Sequence, residues 1–506
     1  MVAFVLSNLV GLVRQILISR QFGTGPELDA FYTASTYPDL VFALIAGGAL
    51  ASAFVPTYTG FLTRSEAPAG WRLASAVTNL IVLVLTAISL LSAIFAPQII
   101  HYILSPSYGP AQLALTASLM RILLIAPTVF GISGILMGVL NAHQHFLLPA
   151  LASTMLWLGY IFGLIFLVPS MGIYGLAWGA VLGAFLHLGI QLPGLLRLPD
   201  RTYDLTLGLS DPAVREVFKL MGPRLIGIAA VQVNFVVNVI IATGQPPGSL
   251  AAIKYGFAIM TMPQVVIAQS IAIAALPTFS AQVALGDLHG MRASLAASLR
   301  GMFLLALPAT FGLIILRDPV VQALFQHGEF NARSTEMVAW ALLWYTAGLL
   351  GHGLVEILSR GFYAMHNTRT PVLVSVAAMS LNVLFSFAFS ALFVRVGWMP
   401  LGGLALANTL ATALEGVTLL ILMRRRLQGI EGRRLARGFA LAALATLGMS
   451  LVLLWWNTAA AALGVWGLLL GGLLLGGLVY GGLALLLKIP EVWQLVGLAR
   501  ARLRST

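Results

Sequence analysis

Long apolar runs alternate along the chain with short polar breaks. Fourteen of the runs reach about 17–25 residues or more, the length that crosses a bilayer. They fall at 2–19, 29–61, 74–104, 112–140, 146–168, 171–196, 218–243, 249–284, 300–316, 335–359, 371–394, 399–423, 438–456 and 464–487. Lipid offers no partner to an unpaired backbone group, so each run predicts a helix. The second and eighth are too long for one straight span. Each is expected to begin outside the membrane or to bend at its proline, Pro38 or Pro263. The pattern predicts an all-α polytopic membrane protein with about fourteen transmembrane helices.

Composition agrees: of 506 residues, 59% are hydrophobic and 9% charged, where a soluble domain carries about 25% charged residues. The chain has no cysteine, which excludes a disulfide framework, thiolate chemistry and a Cys-based metal site. No basic residue precedes the first apolar run, so that run reads as a retained span. The charges then set orientation. If the start of the chain and every second loop share one side, that side holds 20 of the 28 Lys and Arg residues. They include Arg64, Arg72, Arg197, Arg201, Arg215, Lys219, the cluster "RRRLQGIEGRRLAR" at 424–437 and the C-terminal tail. The opposite side keeps Arg20, Arg317, Arg333 and Arg395. Such a bias places both termini in the cytoplasm. The net charge of +12 then reflects topology and contact with anionic membrane lipids, not nucleic acid.

Two segments recur at one offset. "LDAFYTASTYP…ASAFVPTYT" (28–59) resembles "LAAIKYGFAIMTMP…AIAALPTFS" (250–280), and "GVLNAHQHFLLPA" (138–150) echoes "GFYAMHNTRTPVL" (361–373). An even number of spans separates the copies, so both halves face the same way, as in transporters whose two lobes enclose a central site. The repeat predicts an N-terminal lobe over 1–197, an amphipathic connector over 198–217 and a C-terminal lobe over 218–424. A basic loop (425–437), two added spans (438–487) and a basic tail (488–506) follow.

Four basic residues, Arg14, Arg121, Arg224 and Lys254, fall inside spans, as do Glu356 and Glu415, while Asp29 and Asp39 bracket the start of the second. Each can be a helix-end charge or a structural pair; each can also mark a transport path, since an arginine in hydrocarbon costs roughly 2.5 kcal/mol or more. Arg121 and Glu415 read as structural. No G-x-x-x-x-G-K-[ST] loop is present, so ATP does not drive the protein directly. "HQH" (143–145) has no acidic cluster beside it and reads as a loop feature. The chain is expected to be a transporter and not an enzyme, and to work as a monomer. A cation-coupled drug exporter is one reading of such a transporter; it needs a buried carboxylate, for which only Glu356 and Glu415 are available.

The segments "SNLVGLVRQILISRQFGTGPELDAFYTA" (7–34), "GGALASAFVPTYTGF" (47–61), "ALPTFS" (275–280), "LFQHGEF" (324–330) and "GFYAMHNTRTPV" (361–372) resemble the lipid II flippases of the MurJ/MviN type. These belong to the multidrug/oligosaccharidyl-lipid/polysaccharide exporter superfamily. The resemblance covers nearly the whole chain. It implies a bacterial inner-membrane protein that moves a polyprenyl-pyrophosphate-linked peptidoglycan precursor to the outer leaflet by alternating access. Export of another lipid-linked oligosaccharide is the neighbouring reading.

Arg14 matches the second arginine of the family's S-R-x-x-G-x-x-R pattern, and a guanidinium fork suits phosphate. Other cationic positions are empty here. Asn8 stands for the first arginine and Gln15 for the acid after the second. Phe42, Ala43 and Gly47 stand for the second-span charges, and Gly256, Phe257 and Ala258 for the eighth-span triplet. Lys254 is placed to replace the eighth-span arginine, and Arg224 to add a second charge. Arg14, Lys254, Arg224, Asp29 and Asn8 are thus the expected substrate-binding residues. No cofactor is expected. The driving force is a sodium ion or the membrane potential. The resemblance would put sodium ligands at Asn238, Asn382 and Ser386, two of which stand where the family has acids; Glu356 is the remaining carboxylate for coupling.

Overall fold

The computed structural model describes residues 2–45 and 48–493; the side chains of 2–5, 48–52, 223, 224, 226, 227 and 230 lie outside that description. All regular structure among the described residues is helical. The helices are α1 (Val2–Phe22), α2 (Pro26–Ile45), α3 (Gly48–Thr63), α4 (Ala67–Ile94), α5 (Pro110–Leu123), α6 (Ala126–Ala142), α7 (Leu147–Phe162), α8 (Ile173–Gly189) and α9 (Pro212–Thr243). After them come α10 (Ser249–Pro263), α11 (Ser270–Ala284), α12 (Leu288–Ile315), α13 (Arg317–Phe325), α14 (Ala332–Ala347), α15 (Leu349–Ala364), α16 (Arg369–Val396), α17 (Leu401–Arg426), α18 (Gly432–Ala459) and α19 (Gly464–Leu486).

Every apolar run coincides with one of these helices or with two in series. Among the described residues, ten helices or fused helices are long and apolar enough to cross a membrane, or eleven when α14 and α15, bent by 44°, count as one span. The three runs outside that number are α1, which carries Arg14 and Arg20, the α2–α3 pair, and α9, of which Val231–Thr243 is the apolar part. Among the described residues, length and apolarity thus qualify ten or eleven spans of the fourteen expected. The long second run does not break at Pro38, which lies within α2. In the eighth run α10 does end on Pro263, and a π-helical stretch, Gln264–Gln269, follows.

The described chain forms two compact units. The first is Met1–Ala251 with His327–Phe330, the second Ala252–Gln326 with Asn331–Thr506. Helix α9, which the repeat assigns to the second lobe, packs on α2 and α3 of the first unit. The core of the first unit gathers Phe54, Tyr58, Trp71, Leu73, Val77 and Ile81. His143, at the end of α6, stacks on Trp71 and shares a 3.2 Å hydrogen bond with the Tyr58 hydroxyl. Burial pushes its pKa below the usual imidazole value. The "HQH" segment is thus held by packing. Arg121 is structural too, its Nε donating to the Ala93 carbonyl at 3.0 Å.

In the first unit, α7 and α8 meet backbone to backbone. Gly159 and Gly163 face Gly175, Gly179 and Gly183, which recur at intervals of four along α8 and so line one face. A Cβ on Gly159 would overlap the Gly183 Cα, and one on Gly163 would come within 2.6 Å of the Gly179 Cα. Small residues allow such approach, and in lipid close packing is what holds helices together. The connector between α8 and α9 is irregular over 201–207. It is pinned to α4 by Asn79, whose amide donates to the carbonyls of Asp204 (3.0 Å) and Thr206 (2.9 Å).

The second unit centres on Phe279, Met291, Leu295, Leu299, Phe362, Leu419 and Met423. The resemblance's empty eighth-span positions are used for packing here. Gly256 lies so close to α14 that a Cβ would sit 3.0 Å from Ala341, and Phe257 packs edge-on to Tyr345. On α19, Gly472 and Gly476 lie against Leu316 and Leu453, while Gly477, Gly481 and Gly482 face open space.

Candidate functional site

Arg14 is half-buried on α1. Its guanidinium lies 4.2 Å from the Trp157 ring centroid and 5.2 Å from that of Tyr160. Trp157 and Tyr160 are three residues apart on α7 and so share a face. Gly11, one turn before Arg14, leaves room for the indole: a Cβ there would be 3.4 Å from Trp157 Nε1. A guanidinium NH2 donates to Gln15 Oε1 at 3.0 Å, and Gln15 in turn reaches the Tyr32 hydroxyl of α2 at 3.5 Å. Arg14 Nε is buried with no hydrogen-bond acceptor, and among the described residues Arg14 has no ion pair. An arginine in an apolar helix is thus held by an amide and two rings, all neutral. The Asp39 carboxylate acts through space on the same Tyr160, without an ion pair to Arg14 among the described residues.

Asp29 has another use. It is 4% exposed, and its carboxylate accepts the N–H groups of Gly248 (2.6 Å) and Ala251 (2.8 Å). It therefore caps the start of α10, where free N–H groups and the helix dipole both favour an anion. Both its oxygens are engaged by backbone. Asn8 is exposed on α1, two turns before Arg14. Lys254 is exposed on α10 and belongs to the second unit, whereas Arg14, Asn8 and Asp29 belong to the first. The side chain of Arg224 lies outside the described residues.

The expected ion-coupling residues divide in the same way. Asn238, in the first unit, donates to the carbonyl and side-chain oxygens of Asn234 within α9, at 2.9 and 3.1 Å. Asn382 and Ser386, in the second, are buried and bonded to each other at 3.3 Å. Glu356 pairs with Arg360 one turn along α15, at 3.2 Å. Glu415 is buried and accepts a hydrogen bond from the Ser375 hydroxyl. The aromatic neighbours of Arg14 were not found from the sequence. The one signal was the W-x-x-Y spacing at 157–160, which places two rings on one helix face without saying what they meet.

A family profile described as "Lipid II flippase MurJ" matches residues 18–474. The chain is 30% identical over 427 residues to the lipid II flippase MurJ of Burkholderia cenocepacia, spanning 83% of this chain and 82% of that one. It is 30% identical over 451 residues to the probable lipid II flippase MurJ of Bdellovibrio bacteriovorus, spanning 88% and 84%. Among solved structures, a lipid II flippase MurJ in an inward closed conformation superposes with a TM-score of 0.82 at 23% identity, over 98% of this chain and 99% of that one. An inward-facing multidrug transporter of the MATE family gives 0.70 at 15% identity, over 84% and 96%. Both are likenesses of fold.

Proposed function

The chain belongs to the lipid II flippase MurJ family, and from that premise we propose that it carries lipid II, the polyprenyl-pyrophosphate-linked peptidoglycan precursor, from the inner to the outer leaflet. Its two lobes alternate in access to either side. Such a cargo needs a cation for the pyrophosphate, a wet cavity for the sugars and peptide, and a greasy surface for the tail. Arg14 supplies the cation. The observation that carries this reading is a guanidinium with no ion pair among the described residues, held on an apolar helix by an amide and two rings. Lys254 and Arg224 are proposed as further cations for the cargo, and Asn8 as a polar group. Asp29 serves the site indirectly, by fixing the start of α10. Along α19, the open faces of Gly477, Gly481 and Gly482 and the exposed Leu474 and Leu478 suit a polyprenyl chain.

The membrane potential is the driving force we favour, because it acts directly on cavity cations with about 2.3 kcal/mol per charge per 100 mV. Sodium is the alternative; the residues expected as its ligands from the sequence, Asn238, Asn382 and Ser386, are weaker ligands than carboxylates. A proton-coupled drug exporter is disfavoured: Glu356 is already paired with Arg360, and Glu415 already accepts from Ser375. Export of a different lipid-linked oligosaccharide is the reading that stays closest.

Depletion of the resident lipid II flippase in a bacterium tests the cargo. Expression of this protein should restore growth and cell shape. Continued lysis, with the protein inserted at normal abundance, would point to another lipid-linked substrate. Orientation has its own test, and the absence of native cysteine gives it a clean background. A cysteine placed within "TGQPPGS" (243–249) should react with an impermeant thiol reagent on intact cells, and one at 427–432 should not. The reverse pattern would invert the topology and put both termini outside.

A further inference from the structure

We infer that Trp157 and Tyr160 are positioning residues that fix the Arg14 guanidinium for a pyrophosphate without tying it up in an ion pair. This rests on the reading of Arg14 as the anion's ligand and adds to it. An arginine in a low-dielectric site is usually steadied by a carboxylate. A carboxylate partner would have to be displaced, or would repel the incoming phosphates. Aromatic faces steady a cation through the ring quadrupole and carry no charge that competes with an anion. The geometry supports that division of labour. The Trp157 ring sits 4.2 Å from the guanidinium carbon and the Tyr160 ring 5.2 Å, both on the α7 side. Gln15, from α1 itself, engages one NH2, and Nε has no acceptor.

The glycine contact between α7 and α8 belongs to the same device. Gly159 lies between Trp157 and Tyr160 in sequence, and it is the residue that meets the Gly183 backbone. The face of α7 opposite the two rings is therefore pinned without any side chain that could yield. The rings stand on a helix whose position is fixed, and the guanidinium is fixed in turn.

Purified full-length protein in lipid nanodiscs, titrated with a polyprenyl pyrophosphate and with the monophosphate of the same chain, provides the test. Trp157→Leu should weaken pyrophosphate binding by about two- to thirtyfold, the range an aromatic–cation contact supports. Trp157→Phe, which keeps a ring face, should recover most of it. In an Arg14→Ala background Trp157→Leu should cost nothing further, because its target is gone. An equal loss in both backgrounds, or no loss in either, would overturn the positioning role. Should Trp157→Leu fail to accumulate, Tyr160→Leu gives the same comparison, with a loss of a few fold expected only when Arg14 is present. If Arg14→Ala binds as tightly as the native protein, it is the ligand reading that fails. If Arg14→Ala binds weakly while both ring variants bind normally, only the positioning role fails.

Discussion

Alanine at Gly159 should sharply reduce folded protein in the membrane, and leucine there should abolish it. The added Cβ would overlap the Cα of Gly183 and press on the carbonyl of Gly179. A flexible side chain can swing aside from such a clash, but a helix backbone cannot. Relief requires α7 and α8 to separate along the whole seam, losing the contacts of Gly163, Gly175 and Gly179 together. Overpacking of an ordinary core costs about 1–3 kcal/mol, and a rigid backbone clash belongs at or above the top of that range. Thermal denaturation in detergent and the yield of inserted protein measure the effect. Gly189→Ala is the control, since its added methyl meets nothing within 4 Å. Normal melting of Gly159→Ala would show that the helices are not packed as described.

Arg14→Ala should leave the protein in place and stop the work. Its guanidinium makes one hydrogen bond and two ring contacts, so its removal costs the fold no more than a modest amount, about 0.5–2 kcal/mol. A charge-assisted hydrogen bond to the cargo is worth roughly 1.5–3 kcal/mol, so cargo affinity should fall about ten- to hundredfold. Arg14→Lys should restore part of it, because an ammonium supplies the charge without the planar fork. A cation-coupled exporter predicts the opposite, with Glu356→Gln inactive and Arg14 of little weight. Binding of lipid-linked pyrophosphate, scored beside abundance, distinguishes these outcomes. Full binding by well-folded Arg14→Ala would remove the charge from the mechanism.

The helices were legible because their signal is local. A run of apolar residues identifies a membrane helix whatever it packs against, and each of the fourteen runs lies on helical chain. Prolines are local signals of a weaker kind: Pro263 marks a helix end, while α2 continues through Pro38 to Ile45. Pairings between distant residues were not legible. Arg14 and Trp157 are 143 positions apart, and periodicity relates only residues of the same helix. Asp29 read as a cargo ligand because an acid at the start of a membrane helix suggests chemistry. Its use as a cap depends on which helix start it meets, and nothing near Asp29 in sequence reveals that. The assignment of α9 was hidden for a related reason. An internal repeat reports ancestry of segments, whereas packing on α2 and α3 depends on the faces those helices present.

The α7–α8 seam bears on how the protein is made. Only a π-helical stretch, the short helix Val168–Met171 and Gly172, in a left-handed conformation, separate its two helices. Both halves of the seam therefore leave the ribosome within a few seconds of each other, at about 5–20 residues per second. The glycines need no distant partner, so the pair can close as a hairpin while later segments are still being translated. Closure of the platform under Arg14 therefore requires nothing from the second half of the chain.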